Sequence, residues 1–124
     1  MFLKRKARLL LLDDDPSMQR LIAALLRRDG HRVDVVSEAA QAIEHIGRYA
    51  YDALLLDIMT PTEGGLTVLR HLRKAKPELM KRVLLVTASP DSILKGVSGD
   101  VFGVVRKPFE AEELMTAIRK VVAS

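Results

Sequence analysis

The amino-acid sequence predicts an α/β fold in which helices cover both faces of a parallel, five-stranded sheet. Short apolar runs, such as Arg8–Leu12, Ala53–Leu56 and residues 83–86, are bounded by polar or turn residues and read as strands buried on both faces. Between them lie stretches whose apolar residues recur at helical spacing, so strand and helix alternate five times. Several strands also stop on a polar or charged residue, which hints at chemistry along one edge of the sheet.

The first strand, Arg8–Leu12, ends in Asp13, Asp14 and Asp15. Asp15 suits the cap of a helix that opens with Pro16, where a missing N–H costs nothing. Met18, Leu21, Ile22, Leu25 and Leu26 form that helix's apolar face, and Asp29 with Gly30 closes it. The second strand, about 31–36, alternates like an edge strand. Ser37 is the expected cap of the next helix, with Ala39, Ala42, Ile43 and Ile46 on one face and Gly47 at its end.

The third strand stops on Asp57, and Pro61, Gly64 and Gly65 mark the loop into a third helix. Leu66, Val68, Leu69 and Leu72 face inward there, a basic face points outward, and Lys76 with Pro77 ends it. The fourth strand stops on Thr87. Ser89, Pro90 and Asp91 then open a short helix with Ile93, Leu94 and Val97, weakened by Gly96 and Gly99. The fifth strand, about 101–105, leads to Arg106, Lys107 and Pro108. A last helix from about Glu110 has acids in its first turn and Arg119 and Lys120 in its last, as the helix dipole favours. The expected organisation is one domain over 1–124, with a core from about 7 to 123.

Composition excludes several function classes. The absence of cysteine rules out a disulfide framework and a thiolate metal site. Two Tyr, three Phe and no Trp leave little with which to stack bases. The net charge of +4 comes from dispersed charges of both signs, which read as solvated helix faces rather than a nucleic-acid surface. The basic residues Lys4, Arg5, Lys6 and Arg8, and those between 70 and 82, have no interleaved aromatics. The basic start is not a signal peptide, because its apolar run is short and meets Asp13 at once. With no membrane-spanning segment, the chain is expected to be cytoplasmic. His31, His45 and His71 lie on different elements and are expected to be surface or structural residues, and the methionines are expected to be mainly core fillers.

In a parallel sheet all the C-terminal strand ends share an edge, and ligands bind beyond it where the strand order reverses. With order 2-1-3-4-5, a doubly wound sheet, Asp13, Asp14 and Asp57 lie side by side, with Thr87 and Lys107 beside them. Carboxylates this close repel one another unless a cation intervenes. A hard divalent ion resolves this, and Mg2+ suits a site that also receives phosphate. A carboxylate can act as a nucleophile and form an aspartyl-phosphate. Lys107 and Thr87 would supply the cation and the hydrogen-bond donor that the phosphoryl charge needs. Each residue alone has a plainer reading, as a turn, a cap, a strand end or a solvated lysine. Their combination at successive strand ends is specific.

These motifs resemble the receiver (CheY-like) domain of two-component response regulators across essentially the whole chain. The matching stretches are Leu12-Asp13-Asp14-Asp15-Pro16, Asp57 to Pro61, Gly65-Leu66, Thr87-Ala88 and Lys107-Pro108-Phe109. The resemblance implies a flavodoxin-like fold and phosphorylation of Asp57 by a histidine kinase or a phosphotransfer protein. It implies Mg2+ bound directly by Asp14, Asp57 and the Met59 carbonyl, and through water by Asp13. Thr87 and the Ala88 amide would contact the phosphoryl oxygens, and Lys107 would pair with the phosphoryl group across a cis Lys107–Pro108 bond. Met59 and Ser89 would tune how fast the phosphoryl group is lost to water. The donor would dock around Pro16, Met18 and Leu21. Such a domain is not an enzyme beyond its own phosphorylation and dephosphorylation, binds no nucleic acid or membrane itself, and self-associates in some members through the fourth helix, fifth strand and fifth helix. If Ser124 is a boundary rather than a natural end, a DNA-binding, enzymatic or kinase module would follow it.

Three positions depart from the family pattern. Thr60 stands where methionine is usual, and Gly64 where an acid or asparagine is usual. Val104 replaces the aromatic residue that swings inward when the threonine is drawn to the phosphoryl group. Phe102, two residues earlier, is expected on the same strand face. Two other readings compete. One is an interaction module that signals without phosphate, favoured by Val104. The other is an aspartyl-phosphate phosphohydrolase, disfavoured because Met59 stands where those enzymes place a second aspartate.

Overall fold

Leucines that alternate between the two faces of the central strands organise the molecule. Leu9, Leu11, Leu55 and Leu84 point to one face, and Leu10, Leu12, Leu54, Leu56 and Leu85 to the other. All are at most 1% exposed. A strand apolar on both faces has to be covered on both sides, and helices do this.

The computed structural model describes residues 6–124. The elements are β1 (Arg8–Leu12), α1 (Pro16–Arg28), β2 (Arg32–Val36), α2 (Ala39–Arg48), β3 (Ala53–Leu56), α3 (Gly64–Ala75), a 3-10 segment (Pro77–Arg82), β4 (Val83–Thr87), α4 (Asp91–Val97), β5 (Gly103–Arg106) and α5 (Ala111–Ala123). The five strands form one parallel sheet in the order β2-β1-β3-β4-β5. Ile22 and Leu26 of α1, with Leu114, Ile118 and Val121 of α5, close one face. Ala42 and Ile46 of α2, Val68, Leu69 and Leu72 of α3, and Leu94 of α4 close the other. The expected doubly wound, flavodoxin-like architecture and strand order are therefore present. Lys4 and Arg5 of the basic start lie outside the described residues.

Local chemistry sets the element ends. Asp15 caps α1 by accepting the Ser17 N–H at 3.1 Å, and Gly30 leaves the helix at φ +93°, where a Cβ would be strained. The cap of α2 is Glu38 rather than Ser37. Gln41 Oε1 accepts the N–H groups of both residues, while the Ser37 hydroxyl accepts from Gln19 on α1 at 3.0 Å. The helix also runs through Gly47 to Arg48.

Pro77 ends α3 as expected, but the chain continues as a 3-10 turn that buries Met80 beneath the sheet. The fifth strand begins two residues later than expected, because pairing with β4 starts at Gly103 opposite Leu84. Phe102 therefore precedes the strand. It packs against the cluster holding Val105 and, with Val104, lines the groove toward α4 and α5.

The edge of the sheet opposite the carboxylates is held by a polar cluster. Asp34 accepts from Arg8 Nε at 3.1 Å and from the Tyr51 hydroxyl at 2.6 Å, and the Arg8 guanidinium lies 3.8 Å from the centre of the Tyr49 ring. Burial pushes the Asp34 carboxyl up, but hydrogen bonds from Tyr51 and Arg8 outweigh it and hold its pKa below the ordinary 3.8. His31 is structural, as expected: its Nδ1 accepts the Ala7 N–H at 3.2 Å.

A lowered folded pKa means that stability from Asp34 is complete above its ordinary 3.8 and is lost as pH falls through the folded value. Tyr51→Phe should cost about 1 kcal/mol at pH 7 and shrink the acid-induced loss below about pH 4. Urea unfolding of both proteins at neutral and acid pH checks this.

Candidate functional site

Four strand ends converge at one edge of the sheet. Asp13 and Asp57 follow β1 and β3, and the strand pairing extends into both: Asp57 N–H donates to Leu12 O at 3.1 Å and Asp13 N–H to Val36 O at 3.3 Å. Both carboxylates sit close to the protein interior, Asp13 at 1% and Asp57 at 6% exposure. Lys107, just beyond β5, extends the pairing with β4 through its N–H to Thr87 O, and its ammonium reaches across the edge. Lys107 Nζ lies 2.6 Å from Asp13 Oδ2 and 2.8 Å from Asp57 Oδ2. Thr87, the last residue of β4, donates its hydroxyl to Asp57 Oδ1 at 2.8 Å. The same oxygen accepts the Met59 N–H at 2.8 Å. Both oxygens of Asp57 are thus occupied, one by the lysine and one by two neutral donors.

Burial lowers the Lys107 pKa, but hydrogen bonds to Asp13 and Asp57 outweigh it, so the ammonium is held above its ordinary 10.5. Two buried carboxylates sharing one cation leave an uneven charge, and the exposed carboxyl of Asp14 adjoins them. All the candidate metal donors are hard oxygens. Among the described residues no three His, Cys, Asp or Glu side chains converge closely enough to enclose an ion. Such an open, oxygen-only set fits Mg2+, which keeps several waters and shares its coordination with phosphate.

The loop after Asp57 is shaped by two residues. Thr60 accepts the Glu63 N–H through its carbonyl and the Gly64 N–H through its hydroxyl, at 3.0 and 3.1 Å. This gives a local purpose to a threonine that departs from the resembled pattern. Gly65 packs so tightly that a Cβ there would fall on the Asp57 carbonyl oxygen and 2.7 Å from its carbon. The side chain of Met59 is not a core filler; it is 54% exposed. Ala88 is exposed between the buried Thr87 and Ser89. The Lys107–Pro108 peptide is cis.

Gln19 contributes more than its position suggested. The Gln19 amide donates to the Asp13 carbonyl and to Ser37, tying α1 to the acidic loop. A glutamine one turn after a cap carried no signal in the sequence. Away from the carboxylates, a groove of about 880 Å3 runs between α4, β5 and α5, lined by Leu94, Phe102, Val104, Thr116 and Ala117 among others. Val104 is 37% exposed there. Arg106 and Asp91 form an ion pair across its end.

Comparison with known proteins gives a consistent picture. A family model, the response regulator receiver domain, matches residues 9–119. The chain is 36% identical over 112 residues to the transcriptional regulatory protein DltR of Streptococcus agalactiae, covering 90% of this chain and 50% of that one. It is 32% identical over 114 residues to the transcriptional regulatory protein TcrA of Mycobacterium tuberculosis, covering 90% and 44%. The chain thus spans about half the length of the curated relatives it matches. Among solved structures it is similar to the receiver domain of a sensor histidine kinase from Pseudomonas aeruginosa with a magnesium ion coordinated in the active site cleft. That match has a TM-score of 0.84 and 27% identity, over 97% of this chain and 100% of that one. It is also similar to the response regulator TrrA from Thermotoga maritima in complex with Mg2+-BeF, with a TM-score of 0.82 and 28% identity over 94% and 99%.

The site geometry generates two expectations for stability. The raised Lys107 pKa means that its contribution is complete below pH 10.5 and is lost as pH rises through the folded value. Lys107→Met should abolish this alkaline loss, and at pH 7 should destabilise by about 3 kcal/mol because two buried carboxylates lose their cation. Denaturant titrations from pH 7 to 11.5 measure both effects. Gly65→Ala should cost about 2 kcal/mol, since the Asp57 backbone has to move aside. A thermal melt reads this directly.

Proposed function

The chain belongs to the response regulator receiver domain family of two-component signalling, and we propose that it works by accepting a phosphoryl group on Asp57. The observation that carries this is the convergence of Thr87 and Lys107, from different strands, on different oxygens of one carboxylate. A carboxylate oxygen of Asp57 attacks phosphorus. The bond from phosphorus to the leaving atom breaks, and its electron pair departs with a histidine nitrogen of a kinase or phosphotransfer protein, or with acetate when acetyl phosphate is the donor.

The residues divide the work. Lys107 already sits at hydrogen-bond distance from Asp57 Oδ2, so its ammonium needs only a small shift to pair with a phosphoryl oxygen. Thr87 turns its hydroxyl from Asp57 Oδ1 to another phosphoryl oxygen, and the Ala88 N–H adds a donor in the same loop. Asp57, Asp14 and the Met59 carbonyl would hold Mg2+ directly, with Asp13 bound through water. When bound there, Mg2+ would supply positive charge to offset that of the phosphoryl oxygens.

The new charge and acceptors bias the Thr87 loop and the adjoining α4 between two arrangements, which changes what an output domain or partner binds. At seven residues, α4 is the shortest α-helix among the described residues, which suits an element of low local stability. On this reading the chain is a signalling domain whose only catalysis is its own phosphorylation and dephosphorylation. No described helix is long and apolar enough to cross a membrane. The donor would dock against α1, where Leu21 is 49% exposed. The curated relatives are named as transcriptional regulators, so control of transcription through a further domain is the output proposed here.

Acetyl phosphate with Mg2+ should label the chain by one phosphoryl group, and neither Asp57→Asn nor the wild type in EDTA should be labelled. Intact-protein mass spectrometry reads the mass gain. A labelled Asp57→Asn protein would move the acceptor elsewhere.

A further inference from the structure

Ser89 lies two residues past β4 and is 1% exposed, although it carries a hydroxyl and sits in a connecting loop. A hydroxyl buried that deeply has to be hydrogen-bonded. Its oxygen is 2.9 Å from the Thr87 hydroxyl, and its N–H reaches the same Thr87 oxygen at 3.3 Å. Thr87 itself is fully buried and lies 2.8 Å from Asp57 Oδ1.

The proton positions in this chain follow from counting. A threonine hydroxyl has one proton and two lone pairs. The Asp57 carboxylate, partner of the Lys107 ammonium, acts as acceptor, so the Thr87 proton lies on the Asp57 side. The short contact between Thr87 and Ser89 then needs the Ser89 proton between the two oxygens. Thr87 thereby gives one hydrogen bond to Asp57 and receives from both polar groups of Ser89. Its rotor has one satisfied setting, and its proton is aimed at the acceptor carboxylate before any donor arrives. A hydroxyl that receives a hydrogen bond is also polarised into a stronger donor.

We infer that Ser89 is a positioning residue for phosphoryl transfer, acting through Thr87 by fixing the direction and strength of the hydroxyl that meets the phosphoryl group. This rests on the reading of Asp57 as acceptor. It differs from a role for position 89 in admitting water, because Ser89 is buried beneath Thr87 rather than exposed at the mouth of the site.

The test has two independent readouts. The first is the rate of Mg2+-dependent labelling by acetyl phosphate. Ser89→Ala should slow labelling about fivefold, and Ser89→Thr, which keeps the hydroxyl, should restore it. Thr87→Ala and the double variant Thr87→Ala/Ser89→Ala should label at the same rate, since Ser89 has nothing left to orient. The second readout is the Thr87 hydroxyl proton in unphosphorylated protein. It should give a slowly exchanging NMR resonance that is lost in Ser89→Ala.

Additive effects in the double variant, or a Thr87 resonance that persists unchanged without Ser89, would overturn the inference. If the wild type takes no label while the resonance still depends on Ser89, the acceptor reading fails and the orientation of Thr87 by Ser89 stands.

Discussion

One ammonium between two buried carboxylates is the contact on which the rest of this edge depends. Asp13 and Asp57 are driven inward because they end strands that are apolar on both faces, and at 1% and 6% exposure water cannot neutralise them. Lys107 supplies the compensating charge, and in doing so fixes β5 relative to β1 and β3. The lysine also leaves the balance incomplete, with two nearby carboxylates against one cation and a third carboxyl alongside. That imbalance leaves the edge with net negative charge beyond what the lysine neutralises.

Much of this was legible in the residues. The runs 9–12, 53–56 and 83–86 have one sensible placement, and once they are parallel their ends have to share an edge. The misreadings share a physical cause. Ser37 is the better cap by residue type, but its hydroxyl is recruited by Gln19 of another helix, and Glu38 caps instead through its box with Gln41. The start of β5 depended on its register with β4, and pairing that begins at Gly103 leaves Phe102 just before the strand. The 3-10 turn after Pro77 has no periodicity to read. It exists because Met80 finds a place in the core. In each case tertiary contact decided between local options of similar energy.

The departures from the family pattern have uneven weight in the structure. Thr60 bonds within its own loop and orders the approach to α3, so it is a local alternative rather than a loss. Val104 has a wider consequence. With valine at that position the edge strand is bordered by an open groove toward α4 and α5, which Phe102 also lines. The Thr87–Ser89 loop leads directly into the turn that opens α4.

The lysine's partners also have a consequence for the order in which the protein is made. Lys107 and Asp13 are 94 residues apart, and Lys107 and Asp57 are 50 apart. A ribosome releases both acids long before their cation. A nascent chain that has emerged through β4 already has the leucine-rich centre of the sheet, but its two acids still repel each other. Only when the last strand and the loop after it arrive does the acidic edge become favourable to close. The C-terminal part of this domain therefore completes both the sheet and its acidic edge, so the two mature together.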